Sequence, residues 1–469
     1  MNDYKNLQED DQNEVDNTDQ KEQEFIVDSD ALFMSDIEQI DLYNTQADFL
    51  SEMKVLEHII ELFKEGRHIP KEVFPYPLFF DCISNYLANS ELQNFYPAIV
   101  VTNSVIHDSN QEEIVPIFEN TQCYRQLIDI FLNSIDYYDE IIQTFTILIQ
   151  KKEISDFLIE KGVFDRIDIV FNEEGLMTTE RLFFSVQFLA QLTKTISVED
   201  VGHINAMAAY FVLQLDPEVN GLTILDQCAI GLSNFFQMDL KKETRGVAIQ
   251  YDIVPRLLNI INKFGPSIDE MSVNLTNTAL FIFQSIFYYP TKKLLESLDD
   301  YPDYLFTLIN CARHFDQEVA KKGISILANL MLDGLIEDEE INNSEIPLVL
   351  QFSFEDGNYK LKLAALSLAS AIIQECEPET IKNLFNPVIV QKFVETMIYD
   401  KRIDYKNVLI SIQTLLHKAD LSGILDPVVE CFQTEEFNEY LHEIDDNCDD
   451  EKLSELIMEI VRALHFDEE

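Results

Sequence analysis

From residue 49 onward, apolar side chains recur at the spacing of one helical face, and the strict alternation of a half-buried strand is nearly absent. The pattern predicts a succession of amphipathic helices. Within it a short apolar core returns at residues 188–192, 231–236, 282–287, 326–331, 367–372 and 411–416. Anchored at Leu189, Leu232, Phe283, Leu327, Leu368 and Ile412, the copies are 43, 51, 44, 41 and 44 residues apart, and an earlier copy at Ile147 lies 42 residues before Leu189. A mean period of about 44 is that of a helical repeat which buries its apolar face only when stacked on its neighbours. The long interval implies an insertion of about seven residues, placed at 241–251 or 265–269.

A second signal falls between these copies. Residues 114–118 (IVPIF), 162–167 (GVFDRI), 253–258 (IVPRLL) and 424–429 (ILDPVV) open further apolar segments. Proline suits a helix's first turn, where its missing N–H leaves no bond unmade. Asp41, Ser109, Asp136, Thr178 or Thr179, Asp316 and Asp404 precede helical runs and are expected N-caps. Three regions follow: an acidic, largely disordered segment over 1–48, a superhelical body over 49–435, and an acidic linker with a capping helix over 436–469. Residues 1–48 hold 15 carboxylates against Lys5 and Lys21, too little apolar surface to offset ordering before the islands at 25–27 and 31–34. The last helix, expected over 452–466, carries Leu453, Leu456, Ile457, Ile460, Val461 and Leu464 on one face, which suits covering the end of the stack.

Charge narrows the partners. The chain has 85 Asp and Glu against 33 Lys and Arg, a net charge of -52. Such a surface disfavours phosphate backbones and anionic lipid and favours basic peptides or protein partners. No nucleic acid and no membrane insertion are expected, since the longest apolar run, 279–289, is about 11 residues and contains Gln284. Seven scattered cysteines without a CxxC pair read as free thiols of a cytoplasmic or nuclear protein. Eight histidines spread singly, with 12 glycines in the whole chain and no phosphate-binding loop, argue for a non-enzyme without cofactor or metal.

The segment 226–236 (DQCAIGLSNFF), with 323–331 (GISILANLM) as the second match, resembles the third helix of the armadillo repeat, and 253–258 resembles its second. The resemblance extends over most of 50–435 and is nearest to the importin-alpha family. It implies an all-α fold: a right-handed armadillo/HEAT-like α-solenoid of about eight repeats. In that family third helices line a concave groove, asparagines hold the backbone of a basic peptide, tryptophans sandwich its lysines, and carboxylates neutralise them. An asparagine amide both donates and accepts, as a peptide unit requires. Carried over, the asparagine positions fall on Asn234 and Asn329, and the tryptophan positions on Ile230 and Ser325. Elsewhere the asparagine position holds Gln191, Ser285, Ser370 and Thr414. Gln284 and Asp226 complete the candidate groove, Asp226 at its rim. The chain has no tryptophan, and its start lacks the basic segment that recruits importin-beta, so that recruitment is doubtful. Phe235 reads as core by helical face.

Two roles follow. One is an adaptor that binds basic extended peptides in an acidic concave groove, including nucleocytoplasmic transport. The other is an armadillo-repeat scaffold for a cytoskeletal or signalling complex without importin-type peptide binding.

Overall fold

The computed structural model describes residues 30–89, 94–173, 175–238, 241–288, 292–399, 405–446 and 450–464. The expected disordered segment lies outside these up to residue 29, and so does Asp404. Every regular element among the described residues is helical, and the chain divides at Ile204/Asn205 into two compact units.

Unit 1 begins with α1 (30–45), α2 (Phe49–Lys64), α3 (Tyr76–Leu87) and α4 (Tyr96–Asp108). It continues with α5 (Gln111–Phe118), α6 (Gln122–Asn133), α7 (Tyr138–Leu148), α8 (Lys152–Glu160), α9 (Val163–Asn172) and α10 (Thr179–Leu192). The division falls in α11 (Val201–Gln214). Unit 2 holds α12 (Leu222–Gln237), then α13 (Lys241–Gln250), α14 (Ile253–Phe264) and α15 (Glu270–Phe287). Next come α16 (Lys292–Asp299), α17 (Tyr304–Ala312), α18 (Gln317–Leu332), α19 (Asp338–Asn343), α20 (Ile346–Glu355) and α21 (Tyr359–Glu375). The last are α22 (Pro378–Leu384), α23 (Pro387–Tyr399), α24 (Tyr405–Ser422), α25 (Leu425–Phe432), α26 (Glu435–Asp446) and α27 (Glu451–Ala463).

The order within each repeat is a first helix, a second helix and a third, usually the longest. Among the described residues α5–α7, α8–α10, α13–α15, α16–α18, α19–α21, α22–α24 and α25–α27 are seven such repeats, and α3–α4 and α11–α12 are pairs. Third helices stack on third helices: α2, α4, α7 and α10 in unit 1, and α12, α15, α18, α21, α24 and α27 in unit 2, each against the next. Side chains bond between successive repeats at the period of the sequence. Arg181 Nε donates to Asp139 Oδ1 at 3.2 Å, 42 residues away; Lys360 Nζ donates to Glu318 Oε1 at 3.0 Å, also 42 away; Asn383 donates to Asn342 at 3.4 Å, 41 away.

Local chemistry sets the helix starts. Thr178 accepts from the Arg181 N–H, and Asp316 accepts from those of Glu318 and Val319, as expected. Three expected caps are displaced: Asp41 lies inside α1, Ser109 closes α4 while Asn110 caps α5, and Asp136 precedes Tyr137, the residue before α7. The anchors Leu232, Phe283, Leu327, Leu368 and Ile412 are all fully buried. Gly323 lets α18 approach α17 closely, since a Cβ there would stand 2.7 Å from the backbone nitrogen of Ala312.

Two expectations change. The acidic stretch after 435 is a helix, α26, because Phe437, Tyr440, Leu441 and Ile444 line one buried face among its carboxylates. With α25 and α27 it builds a further repeat, and α27 packs on both α24 and α26. The seven extra residues are also not one insertion: α14 and α15 are longer than α17 and α18, and the loop between them runs over five residues.

Candidate functional site

The repeat register brings Asn234, Ser285, Asn329, Ser370 and Thr414 to one position on α12, α15, α18, α21 and α24, two residues past each buried anchor. These helices pack consecutively within unit 2. Gln191 holds that position on α10, in unit 1.

The side chains there differ in what they offer. Asn234, Asn329 and Gln284 are half-buried. Among the described residues the amides of Asn329 and Gln284 have no hydrogen-bond partner, and water reaches both. Ser285 and Thr414 instead donate to carbonyls one turn back, Phe281 O and Ile410 O, both at 2.8 Å. Ser370 is 8 % exposed and its hydroxyl has no partner among the described residues. Gln191 accepts from Lys194 Nζ at 3.0 Å. Asp226 lies two turns before Asn234; burial holds its carboxyl above the usual range, and the Gln227 amide at 3.5 Å opposes this. Phe235 is fully buried, as its helical face implies. At the tryptophan positions Ile230 is half-buried and Ser325 donates to Lys321 O.

The charge of this surface is not the acid expected. Helices α12, α15, α18, α21 and α24 carry Lys321, Lys322, Lys360, Lys362, Lys406 and Lys418 against Asp226, Glu270, Glu318, Glu375 and Asp420. In a chain of net charge -52 these five helices are close to neutral. The carboxylates concentrate elsewhere, as in α19 and α26. A total charge says nothing of its distribution, and these five helices do not share the acidity of the whole chain.

Two of those lysines are structural, and no motif marked them. Lys322 Nζ donates to Asn277 O of α15 at 3.0 Å. Lys418 Nζ reaches Ile373 O, Gln374 O and Cys376 O at 2.8, 2.9 and 2.5 Å, tying α24 to the carboxyl end of α21. Burial lowers the pKa of both ammonium groups. Their readable signal is the spacing: each lysine lies 42 to 45 residues beyond the carbonyls it satisfies.

No protein-family model matches this chain, and no curated protein matches it. Solved structures do. An engineered protein aligns with a TM-score of 0.61 at 13% identity, over 92% of this chain and 99% of its own. The SYS-1/POP-1 complex aligns with a TM-score of 0.51 at 12% identity, over 88% of this chain and 74% of the other. With three-helix repeats stacked third helix on third helix, the fold is an α-solenoid of the armadillo type.

Proposed function

We propose that this protein is a non-enzymatic, protein-binding solenoid, in which an extended segment of a partner lies along the third helices of unit 2. The observation that carries this is the pair of unpartnered, water-accessible amides of Asn329 and Gln284 on adjacent third helices. Each can donate to and accept from one peptide unit of a bound strand. Asn234 repeats the Asn329 position on α12, while Gln284 lies one residue before that position, beside Ser285. The near-neutral charge of these helices and the lack of tryptophan favour the scaffold role over an importin-type adaptor. One of the similar structures is itself a complex, of SYS-1 with POP-1. Carriage of basic peptides in nucleocytoplasmic transport is the second reading, favoured by the repeated asparagine at Asn234 and Asn329. The buried free thiols suit a cytoplasmic or nuclear location.

The test is an array of 15-residue peptides of basic, acidic and neutral composition, probed with the native chain and with Asn234→Ala/Gln284→Ala/Asn329→Ala. Sequence-dependent retention that the triple variant loses, with its circular dichroism melt unchanged, is expected. Retention of the same peptides by both chains would overturn the reading.

A further inference from the structure

Eight residues before the shared amide position, about two helical turns, lies a second position in register: Asp226, Asn277, Lys321, Lys362 and Lys406 on α12, α15, α18, α21 and α24. The last three are lysines on three consecutive third helices, 41 and 44 residues apart. In a chain with 85 carboxylates and 33 basic residues, three cations at one repeat position form a local reversal of charge. Helices α18, α21 and α24 together carry six lysines against only Glu318, Glu375 and Asp420.

Unlike Lys322 and Lys418, the three lysines at the shared position are not consumed by the fold. Glu318 is shared by Lys321 at 3.3 Å and Lys360 at 3.0 Å, so one carboxylate serves two ammonium groups. Lys406 is largely exposed and stands 4.0 Å from Asp450, a weak surface pair. Lys362 has no ion-pair partner among the described residues and opens on a cavity of about 300 Å³ shared with Lys392, Tyr359 and Tyr399. Of these, Lys392 is matched by Glu395 at 2.5 Å.

We infer that the α18–α24 face takes an acidic extended segment of a partner protein, with carboxylates at every third residue opposite Lys321, Lys362 and Lys406. This rests on the reading of the third helices as the binding face. The spacing argument is geometric. Packed helices lie about 8–10 Å apart, and an extended segment of the polyproline II type advances about 3.1 Å per residue with three residues per turn, so every third side chain returns to the same side about one repeat further on. The large negative charge of the rest of the chain opposes approach from afar, but at physiological salt it is screened beyond about 8 Å. At contact the nearest charges decide register, and here they are lysines.

The experiment is fluorescence anisotropy on the full chain with labelled dodecapeptides of Gly and Ser. One probe has Glu at every third residue, one has the same four Glu clustered at one end, and one has Lys at every third residue. The spaced Glu probe is expected to bind best, to lose at least tenfold in affinity with Lys321→Glu/Lys362→Glu/Lys406→Glu, and to lose less with the corresponding Gln triple. The Lys probe is expected to gain in the Glu triple. Equal binding of spaced and clustered Glu probes, or no response to either triple, would overturn the inference. A Lys probe that binds the native chain more tightly and is lost with Gln284→Ala/Asn329→Ala would overturn the acidic partner while leaving the binding face in place. If no probe responds to the lysine or the amide variants, both fall.

Discussion

Glu52 shows how one side chain in this stack carries a pH dependence. It lies on α2, fully buried, with one carboxyl oxygen 3.4 Å from the Asn44 amide and the other without a partner. Burial raises its pKa from the ordinary 4.5 to about 7, against the weaker opposing pull of Asn44. The folded state therefore holds the proton more tightly than the unfolded chain. Glu52 favours folding most below pH 4.5, and that contribution is lost as pH rises through about 7, on the order of 3 kcal/mol in all. Glu52→Gln keeps the neutral shape and removes the slope. Its melting temperature relative to the native chain should rise between pH 5 and pH 8; an equal difference at the two pH values would place the charge elsewhere. Nothing in the sequence marks Glu52 as buried, because FLSEMKVLEHII reads as an ordinary amphipathic run with the carboxylate on either side of the boundary. Asn234 and Asn329 were legible for the opposite reason: polar residues recurring at one register inside apolar cores have few places to go.

At the scale of elements, periodicity located the third helices well, since every anchor from Leu232 to Ile412 is buried. It located their ends less well. Caps are decided by one or two backbone angles, so Asp316 and Thr178 cap as read while Ser109 yields to its neighbour Asn110. Segment 435–446 was misread because its carboxylates outnumber its four buried apolar residues, yet those four share one face. Two glycines give a paired test of helix packing. Gly323 of α18 abuts the backbone of Ala312, which cannot move aside, while Gly246 of α13 has nothing within 4 Å of an added Cβ. Gly323→Ala should destabilise by about 1–3 kcal/mol through overpacking. Gly246→Ala should stabilise by about 0.5–1 kcal/mol through helix propensity. A thermal melt in which Gly323→Ala is unchanged or stabilised alongside Gly246→Ala would contradict the close approach of α17 and α18.

For the whole molecule, the repeat period was readable because each repeat must bury its face on the next, which forces the same apolar spacing throughout. The division at Ile204/Asn205 was not, since a repeat pattern counts repeats without saying into which compact units they group. Charge was read too coarsely. A net of -52 describes the chain and misses the six lysines on α18, α21 and α24. The proposed binding surface is the row of third helices of unit 2 rather than its first and second helices. A direct measurement places a photo-crosslinking benzoylphenylalanine at Ser325 on α18, one turn before Asn329, or at Phe306 on α17, which is 62% exposed, and irradiates each with a peptide retained by the native chain. An adduct from position 325 that unlabelled peptide competes away is expected, with little from position 306. An adduct formed chiefly at 306, or equally at both, would contradict that binding surface.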